Sequence, residues 1–294
     1  FQAEDGIRDC LLSRGLGDVY KRQHLVGGVF SSNKDVNFKT ADDLGLDQSR
    51  IYNDFEEMID AESKVDLSEK IEAVCILTPN FLHFPMAKKF LENGFHVICE
   101  KPLSISLKQA QELKSIKDSK NLVFAVTHTY TGYPMVRQMT KMISEGIIGD
   151  IQRVDSTYFQ GWINDIIHDK DKRNSTWRLN PEVSGISSCL ADIGTHAFNM
   201  LELVCGMKVK KILADLNNLY EDNPLDIDVS VLVRMENGCK GTIRSTQIAT
   251  GLENNLNINK INEVIHKFSK RYSQLYKIPV SYTHLRAHET RGNL

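Results

Sequence analysis

The chain has 294 residues, with 36 Lys and Arg against 38 Asp and Glu and a formal charge of −2. That length accommodates two domains, and the interspersed, nearly balanced charges give no electrostatic footprint for nucleic acid or an anionic membrane. No apolar run reaches membrane-spanning length.

In chain order, "HLVGGVF" (24–30) predicts a short strand ending in a Ser-Ser-Asn turn, and 42–61 predicts helical or looped surface. "IEAVCILTPN" (71–80) predicts a buried strand stopped by Pro79. "HFPMAKKFLENG" (83–94) places Phe84, Ala87, Phe90 and Leu91 on one helical face, with Gly94 as its C-cap. "FHVICEKP" (95–102) predicts another buried strand. In the next helix Ser106 and Gln109 have capping-box spacing, and Leu107, Ala110, Leu113 and Ile116 form the inward stripe. "NLVFAVTHTY" (121–130) closes the series. Alternating strands and helices with near-continuous apolar strands predict an α/β domain with a parallel sheet covered on both faces. Ligands of such sheets lie outside the carboxyl ends of the strands, where Thr78-Pro79-Asn80, Glu100-Lys101-Pro102 and His128-Thr129-Tyr130 fall.

Beyond about residue 130 the pattern changes. Pro134 opens a helix with Met135, Met139 and Ile143 inward. Strands are expected over 150–161 and 208–220. Val229, Val231, Val233 and Met235 alternate into a turn at Glu236-Asn237-Gly238, an antiparallel hairpin. The second domain is therefore expected to be α+β with a mostly antiparallel sheet.

The six cysteines (Cys10, Cys75, Cys99, Cys189, Cys205 and Cys239) contain no CxxC pair. Cys75, Cys99 and Cys205 sit in apolar surroundings and are expected to be reduced core thiols of a cytoplasmic protein.

Two stretches carry candidate chemistry. Lys101, at a strand mouth, is either an ordinary solvated lysine or a donor to a substrate oxygen on which negative charge develops. Glu100 either orients it, contacts a ribose or pairs with a neighbour. Asp192 and His196 in "SCLADIGTH" (188–196) stand four apart before an apolar helical pattern of Phe198, Met200, Leu201 and Val204. Asp192 is either a helix N-cap or the partner of an imidazole suited to accept a proton near neutrality. Cys189, Asp192 and His196 formally offer three metal ligands, but no further ligand pair accompanies them, and no metal is expected. His128 and Tyr130 either line a pocket or seal the domain junction. Trp162, Trp177 and Arg178 are plausible pocket walls in a polar, loop-like region.

The TPN turn, EKP, "YTGYP" (130–134), "WRLNP" (177–181) and "DIGTH" (192–196) together resemble the Gfo/Idh/MocA family of NAD(P)-dependent oxidoreductases, over roughly 24–259. EKP alone is weak; EKP followed downstream by DxxxH across the change of fold is specific. The resemblance implies Lys101, Asp192 and His196 as the catalytic set, with His196 the acid/base. It implies cofactor contacts from Ser31, Ser32, Thr78, Pro79, Asn80, His83, Glu100, Lys101 and Pro102, and substrate contacts from His128, Tyr130, Trp162, Trp177 and Arg178. The implied reaction moves hydride between nicotinamide and a secondary hydroxyl or carbonyl of a sugar, inositol or related polyol. Alternatives within the same fold are a non-catalytic ligand-binding or structural protein, and a sugar-processing enzyme that uses NAD transiently. NAD and NADP both stay open, because Phe30 is followed by Ser31, Ser32, Asn33 and Lys34 before the first carboxylate, Asp35. A homo-oligomer formed through the open sheet of the second domain is expected.

Two departures accompany the resemblance. The family's first strand and glycine-rich phosphate loop have no counterpart, since the sequence holds no Gly-x-Gly-x-x-Gly run. The chain is therefore expected to lack a central strand and to bind cofactor poorly. The stretches 1–23 and 280–294 resemble translated sequencing-adapter read-through and are expected to be foreign, so His284 and His288 receive no role. The expected domains are 24–128 and 129–279, of which 260–279 does not resemble the family's continuation.

Overall fold

The structure, a computed structural model, describes residues 24–66, 68–166, 168–218 and 223–259. The adapter-like ends and 260–279 lie outside the described residues. The chain divides into two compact units, one running to Thr127 and one starting at His128.

The first unit contains helices α1 (Lys34–Asp43) and α2 (Phe55–Glu62), then β1 (Ala73–Ile76), α3 (Asn80–Glu92), β2 (His96–Cys99), α4 (Leu107–Ser119) and β3 (Phe124–Val126). The three strands form a parallel sheet in the order β1-β2-β3, with Val74 opposite Val97 and Ile98 opposite Ala125. Its core joins Val74, Ile76, Val97 and Cys99 to Phe90, Leu91, Phe95 and Leu113 of the covering elements. Asn33 and Asp54 cap α1 and α2 by accepting amides of the first turn. Gly94 stands one residue beyond the C-cap Asn93 of α3, at φ +83°, the left-handed position that ends helices.

Several local expectations are corrected. Residues 24–30 make a single parallel bridge, Gly28 to Ile51, and no strand. The buried Asn37 takes over the bonding instead: its Oδ1 accepts the Phe30 amide at 2.7 Å and its Nδ2 donates to the Tyr52 carbonyl at 2.8 Å. Gly27 lies so close to the neighbouring segment that a Cβ would sit 2.3 Å from the Arg50 carbonyl oxygen. Strand β1 alternates, with Val74 and Ile76 inward and Ala73 and Cys75 outward, so Cys75 is exposed and belongs to no core. Leu107, in the first turn of α4, projects into solvent at 74% exposure, and the inward stripe is centred on buried Leu113. The Ser106 hydroxyl accepts the Gln109 amide, but Gln109 reaches back to the Ile105 amide, one residue beyond a reciprocal box.

The second unit opens with α5 (Pro134–Ser144), then β4 (Arg153–Phe159), the short helices α6 (Lys170–Ser175) and α7 (Pro181–Ser184), and α8 (Thr195–Cys205). Strands β5 (Val209–Asn217), β6 (Asp228–Met235), β7 (Lys240–Thr246) and β8 (Glu253–Asn259) complete it. The sheet order is β5-β6-β7-β4-β8, antiparallel throughout except for the β4–β7 pair. The expected hairpin is β6–β7, with Gly238 at φ +87° in its turn and Val229, Val231, Val233 and Met235 facing the core. One face of this sheet packs on Ile193, Ala197 and Leu201. The other leaves Leu213 and Leu232 exposed and paired to each other across β5 and β6. Two helix faces are rotated from expectation: Val136, not Met135, is the buried anchor of α5, and Phe198 of α8 is exposed.

Candidate active site

In the first unit the candidate residues gather at the carboxyl ends of β1 and β2. His83, in the second turn of α3, is almost completely buried, and its ring spans two turns. Nδ1 lies 2.7 Å from the Pro102 carbonyl oxygen and Nε2 lies 2.7 Å from that of Thr78. Both ring nitrogens are thus committed to backbone. His83 binds the Thr78-Pro79-Asn80 and Glu100-Lys101-Pro102 turns together rather than offering an edge to a ligand. The Lys101–Pro102 peptide is cis. Glu100 Oε1 accepts the Thr127 hydroxyl at 2.6 Å, and Oε2 accepts the Lys101 amide at 3.2 Å.

Thr78 Oγ1 is buried at the end of β1 with no hydrogen-bond partner. An orphan hydroxyl there is what a polar ligand across the strand ends would satisfy, so these turns fit a nucleotide cofactor. Asn80 is buried at the start of α3, beside the N-cap Pro79. Ser31 and Ser32 belong to the turn before α1, where Ser31 Oγ accepts the Asn33 amide. Burial pushes the Cys99 thiol up to about 12, so this residue next to Glu100 supplies no thiolate.

In the second unit, residues 190–194 form a π-helical turn that runs straight into α8. Asp192 lies inside that turn and donates its amide to the Ser188 carbonyl, so it is not an N-cap. The capping carboxylate is Asp226, which accepts the amides of Ser188 at 3.0 Å and Leu190 at 2.7 Å. Gly194 permits the close approach of this turn to β7, since a Cβ there would lie 2.7 Å from the Leu190 side chain and 3.4 Å from Ser245 Oγ. One helical turn on, His196 is 8% exposed and ringed by aromatic groups. Its ring centroid is 4.6 Å from Tyr130, 5.8 Å from His128 and 6.2 Å from Tyr158. The Tyr130 and Tyr158 hydroxyls share a hydrogen bond of 2.6 Å, and Gln160 donates to Tyr158 at 3.2 Å.

His128 and Tyr130 therefore join His196. Trp162 packs on a different cluster of Ile163, Leu179 and Ile227, and Trp177 and Arg178 open the short turn that carries Leu179, with the Arg178 guanidinium 4.6 Å from the Trp177 ring centre. Tyr158, Gln160, Asp226 and Gln247 went unnoticed in the sequence; Tyr158 alone had a signal, an aromatic on a strand rich in small and polar residues. Burial, then the carboxylates of Asp226, Asp192 and Asp228, push the Cys189 thiol upward, against a thiolate ligand there. Among the described residues no group of three or more His, Cys, Asp or Glu is arranged to hold a metal ion, and no helix is long and apolar enough to cross a membrane.

Residues 18–128 match the model of an oxidoreductase family with an NAD-binding Rossmann fold, and residues 136–259 match that of the GFO/IDH/MocA C-terminal domain. The uncharacterised oxidoreductase YfiI of Bacillus subtilis is 35% identical over 229 residues, 77% of this chain and 58% of that protein. Levoglucosan dehydrogenase of Pseudarthrobacter phenanthrenivorans is 30% identical over 207 residues, 63% of this chain and 51% of that protein. The chain thus spans little more than half the length of these relatives. An inositol dehydrogenase homolog of Azotobacter vinelandii, solved with NADH and myo-inositol, superposes with a TM-score of 0.72 at 26% identity, over 84% of this chain and 65% of that one. With two family models matched in sequence and the same two folds met in the same order, the chain belongs to the Gfo/Idh/MocA family of oxidoreductases, its first unit carrying that family's NAD-binding Rossmann fold.

Proposed function

We propose that the protein is a dehydrogenase of a sugar, inositol or related polyol, using NAD or NADP. Hydride transfer is the chemistry the nicotinamide supplies when bound. The protein's own share is to hold the substrate and manage a proton. His196 accepts the proton from the substrate hydroxyl. Asp192, four residues earlier on the same helical run, stabilises the imidazolium that results. Lys101, at the carboxyl end of β2, donates to the reacting oxygen as charge develops on it. Thr78, Pro79, Asn80, Glu100 and Pro102 form the cofactor side in this reading, with Ser31 and Ser32 near the ribose. Tyr130 and His128 form the substrate side, with Trp162, Trp177 and Arg178 as outer walls.

The observation that carries the reading is the setting of His196. A buried imidazole is held among two hydrogen-bonded tyrosines and a second histidine, and the DxxxH carboxylate stands on the same run. The inositol and levoglucosan relatives support a polyol as substrate. Five free thiols and no disulfide among the described residues support a reducing compartment. The exposed leucines of β5 and β6 support a homo-oligomer formed through that sheet.

The test is kinetic. Lys101→Ala and His196→Ala are expected to lower turnover of NAD+ with myo-inositol or levoglucosan by about a hundredfold or more. Cofactor affinity, read by NADH fluorescence, should stay within a few-fold. Equal loss of turnover and affinity would assign these residues a structural role.

A further inference from the structure

Asp192 is held by a residue that stands 55 positions away in sequence. Gln247 follows β7 directly, is fully buried, and donates from Nε2 to Asp192 Oδ2 at 3.0 Å. Its Oε1 accepts the Ser188 hydroxyl at 3.3 Å, so each end of the amide has a partner of the matching kind. The backbone of Gln247 is pinned too: its amide donates to the Ile227 carbonyl and its carbonyl accepts the Ile163 amide. Ser188 is in turn fixed through its own amide by the buried Asp226 carboxylate. The chain Asp226–Ser188–Gln247–Asp192 therefore begins at the cap of the helical run and returns to its π-helical turn.

Two readings of Gln247 compete. As packing, a buried amide is a poor choice, because an amide without partners costs about 1–3 kcal/mol and a leucine of similar size costs nothing of the kind. As a fixture for Asp192 it is well suited: its donor end meets one carboxylate oxygen, and its acceptor end is locked so that the amide cannot turn over. The Asp192 amide donates to the Ser188 carbonyl, so Asp192 is tied to Ser188 twice, by its backbone directly and by its carboxylate through Gln247.

We propose that Gln247 is a positioning residue for the proton-handling pair, fixing the Asp192 carboxylate, with Ser188 fixing Gln247. The proposal rests on the reading of Asp192 and His196 given above. The test uses the full 294-residue chain labelled with 13C at aspartate carboxyls, with Asp192→Asn assigning the signal, and three variants: Gln247→Glu, Gln247→Leu and Ser188→Ala. Gln247→Glu keeps the shape and replaces the donor by an acceptor facing Asp192. The Asp192 signal should move in both Gln247 variants and by less in Ser188→Ala. With NAD+ and myo-inositol, Gln247→Glu should lose about tenfold or more in kcat while KM for NAD+ stays within about twofold. Gln247→Leu, which removes the donor without adding a charge, should lose kcat as well; a packing role predicts that Gln247→Leu turns over as wild type, and that result overturns the proposal. So does an unmoved Asp192 signal. Should Gln247→Glu not fold, Ser188→Ala, which removes one hydroxyl, carries the same signal test. If the signal moves but Asp192→Asn turns over normally, the positioning holds and the catalytic reading fails. If Asp192→Asn is inactive but Gln247→Glu turns over as wild type, the positioning fails alone.

Discussion

Glu100 and Thr127 stand at the carboxyl ends of neighbouring parallel strands, joined by a hydroxyl-to-carboxylate hydrogen bond of 2.6 Å. The bond leaves Glu100 one oxygen on Thr127 and the other on the Lys101 amide, so the carboxylate frames the lysine's backbone. Thr127→Val keeps the shape and removes the hydroxyl. Stability should change by less than about 1.5 kcal/mol in urea melts, because Glu100 is only half-buried and water can replace the lost donor. NADH affinity should weaken several-fold in fluorescence titration.

His83 joins the Thr78-Pro79-Asn80 and Glu100-Lys101-Pro102 turns through their backbone carbonyls. His83→Leu removes the donor that lies between two backbone carbonyls at a buried site and should cost about 1–3 kcal/mol. His83→Gln can satisfy one of them and should recover part of the loss. Denaturant midpoints of the three proteins, compared at constant m-value, decide it.

Glu62 is fully buried and accepts bonds from the Arg50 guanidinium, the Tyr52 hydroxyl and the Ile71 amide. Burial opposes its charge, but these donors, Arg50 foremost, outweigh burial and hold the carboxyl below the ordinary range. Because the folded value is depressed, the stabilisation is present above the ordinary carboxylate range of about 4 and disappears as pH falls through the folded value. Glu62→Gln should cost about 3 kcal/mol at neutral pH and flatten the acid limb of a stability-against-pH curve. An unchanged acid limb would remove Glu62 from that role.

The outward leucines of β5 and β6 make the proposed subunit contact testable. Leu213→Lys with Leu232→Glu should yield monomers in light scattering while leaving the circular dichroism spectrum intact, since both side chains are exposed within the chain. A species of unchanged mass would move the contact elsewhere.

Legibility in the sequence followed the range of the interaction. The β6–β7 hairpin was visible because the Val229 to Met235 alternation and the Asn237-Gly238 turn are local signals, and the EKP and DIGTH segments were visible as motifs. Strand β8 (ENNLNIN) went unseen because only Leu256 and Ile258 alternate with asparagines, residues of low strand propensity, and its partner β4 lies far back in the chain. Residues 24–30 look like a strand by composition, yet Asn37 intercepts their backbone bonds from the side. Asp226 and Gln247 carry no motif at all. Their meaning arises only where the loop before β6 and the end of β7 meet the π-helical turn.

That turn has a consequence for how the gene tolerates change. A π-helical turn is an α-helix with one residue to spare, so the run from Leu190 to Cys205 counts as a helix with an insertion frozen into it. Each residue of an α-helix advances the side chain by about 100°. Losing a single codon between Asp192 and His196 would let the run relax to ordinary helix with the pair i, i+3 apart, still neighbours on one face. A one-residue deletion in this turn is thus one the run can absorb, whereas the same loss within the regular α8 would rotate every later side chain by about 100°.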